Sequence, residues 1–133
     1  MHRDRSFTLV ELIIVVVIIG ILVTFAAPQF RITKERTLDK EAKANIKLIQ
    51  AAERIYNMEL GYHFPLVGSP IDPTNTSQIN EYLKLSLPTS GAWNYSTDST
   101  GLAVACRKPN CDRHWNVWIN DEEPTCYGVC LPQ

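Results

Sequence analysis

The chain has 133 residues, enough for one small domain and one further segment. Its 13 Lys and Arg nearly balance 14 Asp and Glu, for a net charge of −1, and without a basic excess nucleic acid is not an implied partner. There is no Gly-rich phosphate loop, and His63 and His114 stand beside no Ser or Cys nucleophile pattern, so no catalytic set and no enzymatic activity are expected.

Residues 1–6 are short and polar, with Arg3 and Arg5 set against Asp4. That mild basic bias favours a cytoplasmic N-terminus and export of the remainder of the chain. From Phe7 to Ala27 every residue is apolar or glycine except Thr8, Thr24 and Glu11, and Pro28 closes the run. This is the ~20 residues that a helix needs to cross the hydrocarbon core of a bilayer. A soluble amphipathic helix would show a polar face, and this run shows none, so it belongs in lipid or in a fully buried bundle. Glu11 is the exception. A carboxylate at the centre of such a helix costs roughly 2.5–3.5 kcal/mol and marks function by default, although near the end of the run it costs less. The plain alternative is a carboxylate resting among the headgroups.

The short basic leader, the stretch Phe7-Thr8-Leu9-Val10-Glu11, the long aliphatic run and Pro28 together resemble the N-terminal signal of type IV pilins and type II secretion pseudopilins. The resemblance covers about the first 30 residues. It implies cleavage by a prepilin peptidase between Ser6 and Phe7, N-methylation of Phe7, an assembly role for Glu11 and a helix kink at Pro28. The family usually has glycine before the cut; here the small residue is Ser6. A Sec-type signal peptide cut near Ala26-Ala27 is the competing reading, but its apolar core is usually shorter and an acid at its start would be unusual.

After Pro28 the composition turns mixed. Leu38, Ala42, Ile46, Ile49, Ala52, Tyr56 and Leu60 recur in steps of three and four and trace one helical face. Lys34, Glu35, Lys40, Glu41, Lys43, Lys47, Glu53 and Arg54 are assigned to the other side. Gly61 suits a C-cap, and Pro65 forbids continuation. Only Pro28 interrupts the pattern, so one long helix is predicted from about Phe7 to Leu60, roughly 80 Å at 1.5 Å per residue. Gly20 within it reads as a small residue facing lipid, with local melting on assembly as the alternative.

Residues 61–77 form a Pro-, Gly-, Ser- and Thr-rich loop, after which Ser77 is expected to cap a short helix through Leu83. From Gly91 the period drops to two. Strands are predicted over residues 92–96, 102–106 and 114–120, joined by turns at Asp98–Gly101 and Lys108–Asn110. Trp93, Tyr95, Trp115 and Trp118 are expected on the buried face of the sheet, with an aromatic binding surface as the alternative.

Cys106, Cys111, Cys126 and Cys130 all lie near the C-terminus. In an exported domain an even count reads as disulfides, with three pairings open; a zinc site including His114 is the alternative. Asp121, Glu122 and Glu123 raise calcium, which the C-terminal loops of some pseudopilins bind, but three adjacent acids supply few of the six to eight oxygens the ion wants. A solvated turn is the simpler reading, and no other cofactor is expected.

The sequence therefore predicts an α+β fold: a long N-terminal helix, membrane-spanning in its first half, whose second half packs on a small antiparallel sheet. The divisions are a leader over 1–6, a membrane and filament-core helix over 7–28, and an exported domain over 29–133 that includes the helix from 29 to 60. The resemblance implies a pilus or pseudopilus subunit, single-pass in the bacterial inner membrane and then part of a homo-oligomeric helical filament. Its partners would be the prepilin peptidase, an assembly platform and minor pilins or pseudopilins. A membrane-anchored binding domain that never polymerises is the rival.

Overall fold

The computed structural model describes residues 7–68 and 75–131, with residues 26–28 as backbone only. The leader, with Ser6, and the side chain of Pro28 at the expected kink lie outside the described residues. The elements are α1 (Leu9–Leu60), α2 (Thr76–Tyr82), β1 (Trp93–Thr97), β2 (Leu102–Arg107), β3 (Arg113–Trp118) and β4 (Thr125–Gly128). The chain divides into two compact units, Met1–Thr37 and Leu38–Gln133.

In the first unit, every described side chain from Phe7 to Phe25 is exposed, as are Phe30 and Ile32. Among the described residues no single helix is long and apolar enough to cross a membrane, but the bent pair Leu9–Phe25 and Gln29–Leu60 is, by length and composition. The Thr24 hydroxyl donates to the Gly20 carbonyl, so this polar group in the apolar run is satisfied one turn back. A Cβ at Gly20 would meet open space, so the glycine answers no packing demand within the chain.

The second unit holds the core. Its sheet is an antiparallel meander in the order β1-β2-β3-β4. Alternation sends Trp93, Tyr95 and Thr97 of β1, Ala103 and Ala105 of β2, and Arg113, Trp115 and Val117 of β3 inward. Ala105 pairs with Tyr95 on one side and Trp115 on the other. Two small residues on β2 between large neighbours leave a trough, and Ala42, Ile46 and Ile49 of α1 join the same buried cluster. The predicted helical face is thus the buried one, with Leu38, Ala52 and Tyr56 at its margin. Leu60, at the helix end, is half exposed. Gly61 ends α1 as expected, at φ +82°, its N–H donating to the Asn57 carbonyl at 2.8 Å.

Four expectations are corrected. A fourth strand, β4, is added to the three predicted; Trp115 pairs with Cys126, and backbone pairing holds a segment that has little apolar surface of its own. Asn75 replaces Ser77 as the cap of α2: its side chain accepts the Gln78 N–H, and the Gln78 side chain accepts the Asn75 N–H, a reciprocal capping box. Trp118 ends β3 on the outward face and is half exposed, so Ile119 falls beyond the strand. Glu53, assigned to the polar side, is fully buried. It sits four residues after Ile49 and seven after Ile46, and helical geometry places it on their face whatever its charge.

The trough makes a specific demand on α1. Ile46→Ala should lower the unfolding free energy by about 2–5 kcal/mol, whereas Ile55→Ala, at an exposed position of the same helix, should stay within about 1 kcal/mol. Thermal unfolding of the detergent-solubilised chain measures both.

Candidate functional site

Phe7 and Thr8 precede α1, and Thr8 occupies its N-cap. Four backbone N–H groups at such an end lack helical partners. The Thr8 hydroxyl accepts the Glu11 N–H at 3.2 Å, and Glu11 Oε2 accepts the Thr8 N–H at 2.9 Å and the Thr8 hydroxyl at 2.8 Å. This is a capping box, and the sequence spacing Thr8-x-x-Glu11 before an apolar run is its signal, which a reading of Glu11 as an assembly residue alone passes over. The only acid among residues 7–25 is therefore engaged locally, at the start of an otherwise bare apolar surface. Its acceptor capacity is not exhausted, because an ionised carboxylate offers about four lone-pair sites.

The four cysteines form two short-range disulfides, Cys106–Cys111 and Cys126–Cys130, so none remains for a metal. The first closes the turn between β2 and β3; the second closes β4 onto the residues after it. Gly128 within the second loop has φ +86°, and a Cβ there would lie 2.1 Å from the Asp112 carbonyl oxygen, so only glycine fits.

Asp121, Glu122 and Glu123 diverge. Asp121 Oδ2 accepts the Trp118 N–H at 3.0 Å, and Glu123 pairs with Lys47 of α1. The carbonyls of the same loop point at α1: Gln50 Nε2 donates to Trp118 O at 2.6 Å and to Asp121 O at 2.9 Å, and Arg54 donates twice to Ile119 O. Lys47, Gln50 and Arg54, at i, i+3 and i+7, thus strap the loop after β3 along one line of the helix. Among the described residues no group of three His, Cys, Asp or Glu side chains is placed to hold a metal ion.

A second acid is buried in the core. Glu53 Oε2 accepts the Phe64 N–H at 3.0 Å, Oε1 accepts from the Thr97 hydroxyl at 3.4 Å, and His63 Nδ1 lies 3.7 Å from Oε2, beyond hydrogen-bond reach. Burial pushes its pKa up from 4.5 to about 7; the Phe64 and Thr97 hydrogen bonds act in the opposite direction and only partly offset it. Asp39, also buried, is by contrast paired: Arg113 Nε lies 3.1 Å away and the Trp115 indole N–H donates to it at 3.4 Å.

Residues 1–27 match the family described as the prokaryotic N-terminal methylation motif. The chain carries a prepilin-type N-terminus. It is 46% identical over 57 residues to the type IV major pilin protein PilA of Myxococcus xanthus, a match spanning 43% of this chain and 26% of that protein. It is 29% identical over 70 residues to the type II secretion system core protein G of Escherichia coli, 53% of this chain and 48% of the relative. The competence protein ComGC of Halalkalibacterium halodurans is 38% identical over 58 residues, 44% of this chain and 57% of that protein. The chain thus spans between about a quarter and somewhat over half of the length of these relatives. No solved structure matches it. The prepilin-type signal and the long helix followed by an antiparallel sheet agree with the pilin and pseudopilin resemblance read from Phe7 to Pro28.

The strap predicts that Gln50→Leu, which keeps the volume but removes the donor for two carbonyls, should lower stability by about 1–3 kcal/mol. Chemical denaturation of the full chain with and without the substitution reads the difference.

Proposed function

We propose that the chain is a structural subunit of a type IV pilus-like or type II secretion pseudopilus filament, without enzymatic activity of its own. In this reading the inner membrane holds it by residues 7–28 as a single-pass protein, and a prepilin peptidase cleaves between Ser6 and Phe7 and methylates Phe7. An assembly platform, together with minor pilins or pseudopilins, then adds it to a filament outside the membrane.

One observation carries the reading: an apolar helix surface exposed along its described length from Leu9 to Phe25 bears a single acid, at its first turn. So much bare apolar surface requires lipid or like helices around it. Moving from lipid into a bundle of copies changes little for the aliphatic side chains and much for the charges. Cleavage frees an amine at Phe7, and an unpaired amine and an unpaired carboxylate are each costly in a dry interior. Pairing Glu11 with the Phe7 amine of a neighbouring copy offsets both and sets the axial register. Because this contact joins two different parts of the subunit, it is heterologous, and heterologous contacts that do not close generate helical filaments. Thr8 holds Glu11 in the single copy, so the carboxylate keeps partners before the neighbour arrives. A bend of the helix at Pro28 would let the exported domain settle beside its neighbours.

The purified mature chain should begin at N-methylated Phe7 by mass spectrometry. Glu11→Leu should reduce filament yield about a hundredfold or more, as expected for loss of a buried pair worth roughly 3–5 kcal/mol, while leaving the membrane-inserted monomer intact. A chain that keeps residues 1–6, or filament yield indifferent to Glu11, would instead identify a membrane-anchored domain that does not polymerise.

A further inference from the structure

In the loop between the two helices, the described residues 61–68 are seated chiefly by His63, Phe64 and Pro65. Its described part after α1, residues 61–68, begins and ends on glycines at positive φ (+82° and +81°). Between them Phe64 is buried, stacked on Tyr82 at 4.7 Å and edge-on to Tyr56 at 5.8 Å. The Phe64 N–H donates to Glu53, and the His63 ring rests against the position where a Cβ on Gly101 would project. Leu66 and Val67, at the outer part of the loop, are exposed.

Glu53 is walled by α1, by β1 through Thr97 and by this loop. Among the described residues, the titratable groups facing it are His63 from the loop, Asp98 after β1, and Tyr56 one turn along α1. Among the described residues His63 Nδ1 has no hydrogen-bond partner, and Asp98 repels a negative charge on Glu53. An ionised Glu53 keeps the Phe64 and Thr97 donors but has no hydrogen-bonded counter-charge among the described residues, so hydration of the carboxylate competes with the closed loop. Displacing the loop would admit water without breaking the backbone hydrogen bonds of α1 or β1, which form the other walls.

We propose that residues 61–68 form a proton-controlled latch: with Glu53 protonated the loop is clasped against α1 and β1, and ionisation of Glu53 loosens it. The sign comes from linkage. A carboxylate with a raised pKa in the closed state stabilises closure fully below its ordinary value, and this contribution is lost as pH rises through the closed-state value. With 4.5 for the hydrated group and about 7 for the clasped one, the opening equilibrium should rise about tenfold per pH unit between them and level off above, roughly 300-fold in all.

Hydrogen exchange of the full chain in detergent, corrected for intrinsic amide rates and followed by mass spectrometry from pH 5 to 8, tests the latch. Protection of the Phe64 peptide should fall with that slope up to about pH 7 while peptides of β2 and β3 keep theirs. Glu53→Gln, which keeps an acceptor for Phe64, should remove the pH dependence, and His63→Gln should retain it. The latch is refuted if the wild-type loop shows no pH dependence, if loop and sheet lose protection together, if Glu53→Gln keeps the wild-type slope, or if His63→Gln abolishes it.

Discussion

The structure depends on one helix that carries two different side-chain patterns. From Leu38 onward α1 presents a stripe to a trough in a four-stranded sheet; before Phe25 it presents apolar side chains in every direction. The same backbone serves both because a helix satisfies its own hydrogen bonds and needs no particular solvent. What differs is the side-chain pattern: period 3.6 where the sheet covers one face, and no period before Phe25, where every described side chain is exposed. The small β2 residues Ala103 and Ala105 matter for the same reason, since larger ones would lift the stripe off the sheet.

Both halves of α1 contain an acid in an apolar setting, and each is handled by geometry close at hand. Glu11 stands where the helix begins, so an N-cap threonine three residues earlier supplies donors. Glu53 stands mid-helix, where intrahelical bonds already occupy the backbone, so its donors come from a loop and a strand remote in sequence. The first arrangement leaves the carboxylate at the surface, able to take a further partner. The second encloses it, and its ionisation then becomes a matter of stability. Asp39 shows a third solution, enclosure beside a guanidinium.

The C-terminal third is tied down by many modest devices. The segment after β3 has little apolar surface, yet β4 pairing, the Cys126–Cys130 disulfide and the Lys47–Gln50–Arg54 line hold it. The acids that suggested calcium are drawn apart by this arrangement: one turns back to its own backbone and another reaches a lysine on α1.

Much of this was legible along the chain. The apolar run with its lone acid, the helical stripe through Ala42, Ile46 and Ile49, the Gly61 stop and the alternation of β1 to β3 are local or periodic signals, and local signals are carried by adjacent residues. Tertiary structure decided the rest. The disulfide partners among four cysteines, the fourth strand, the outward turn of Trp118 and the spread of the acids at 121–123 depend on which distant segments meet. Glu53 is the clearest case. Its charge suggested solvent and its spacing suggested the core, and spacing prevailed because Phe64 and Thr97 are brought by the fold to receive it.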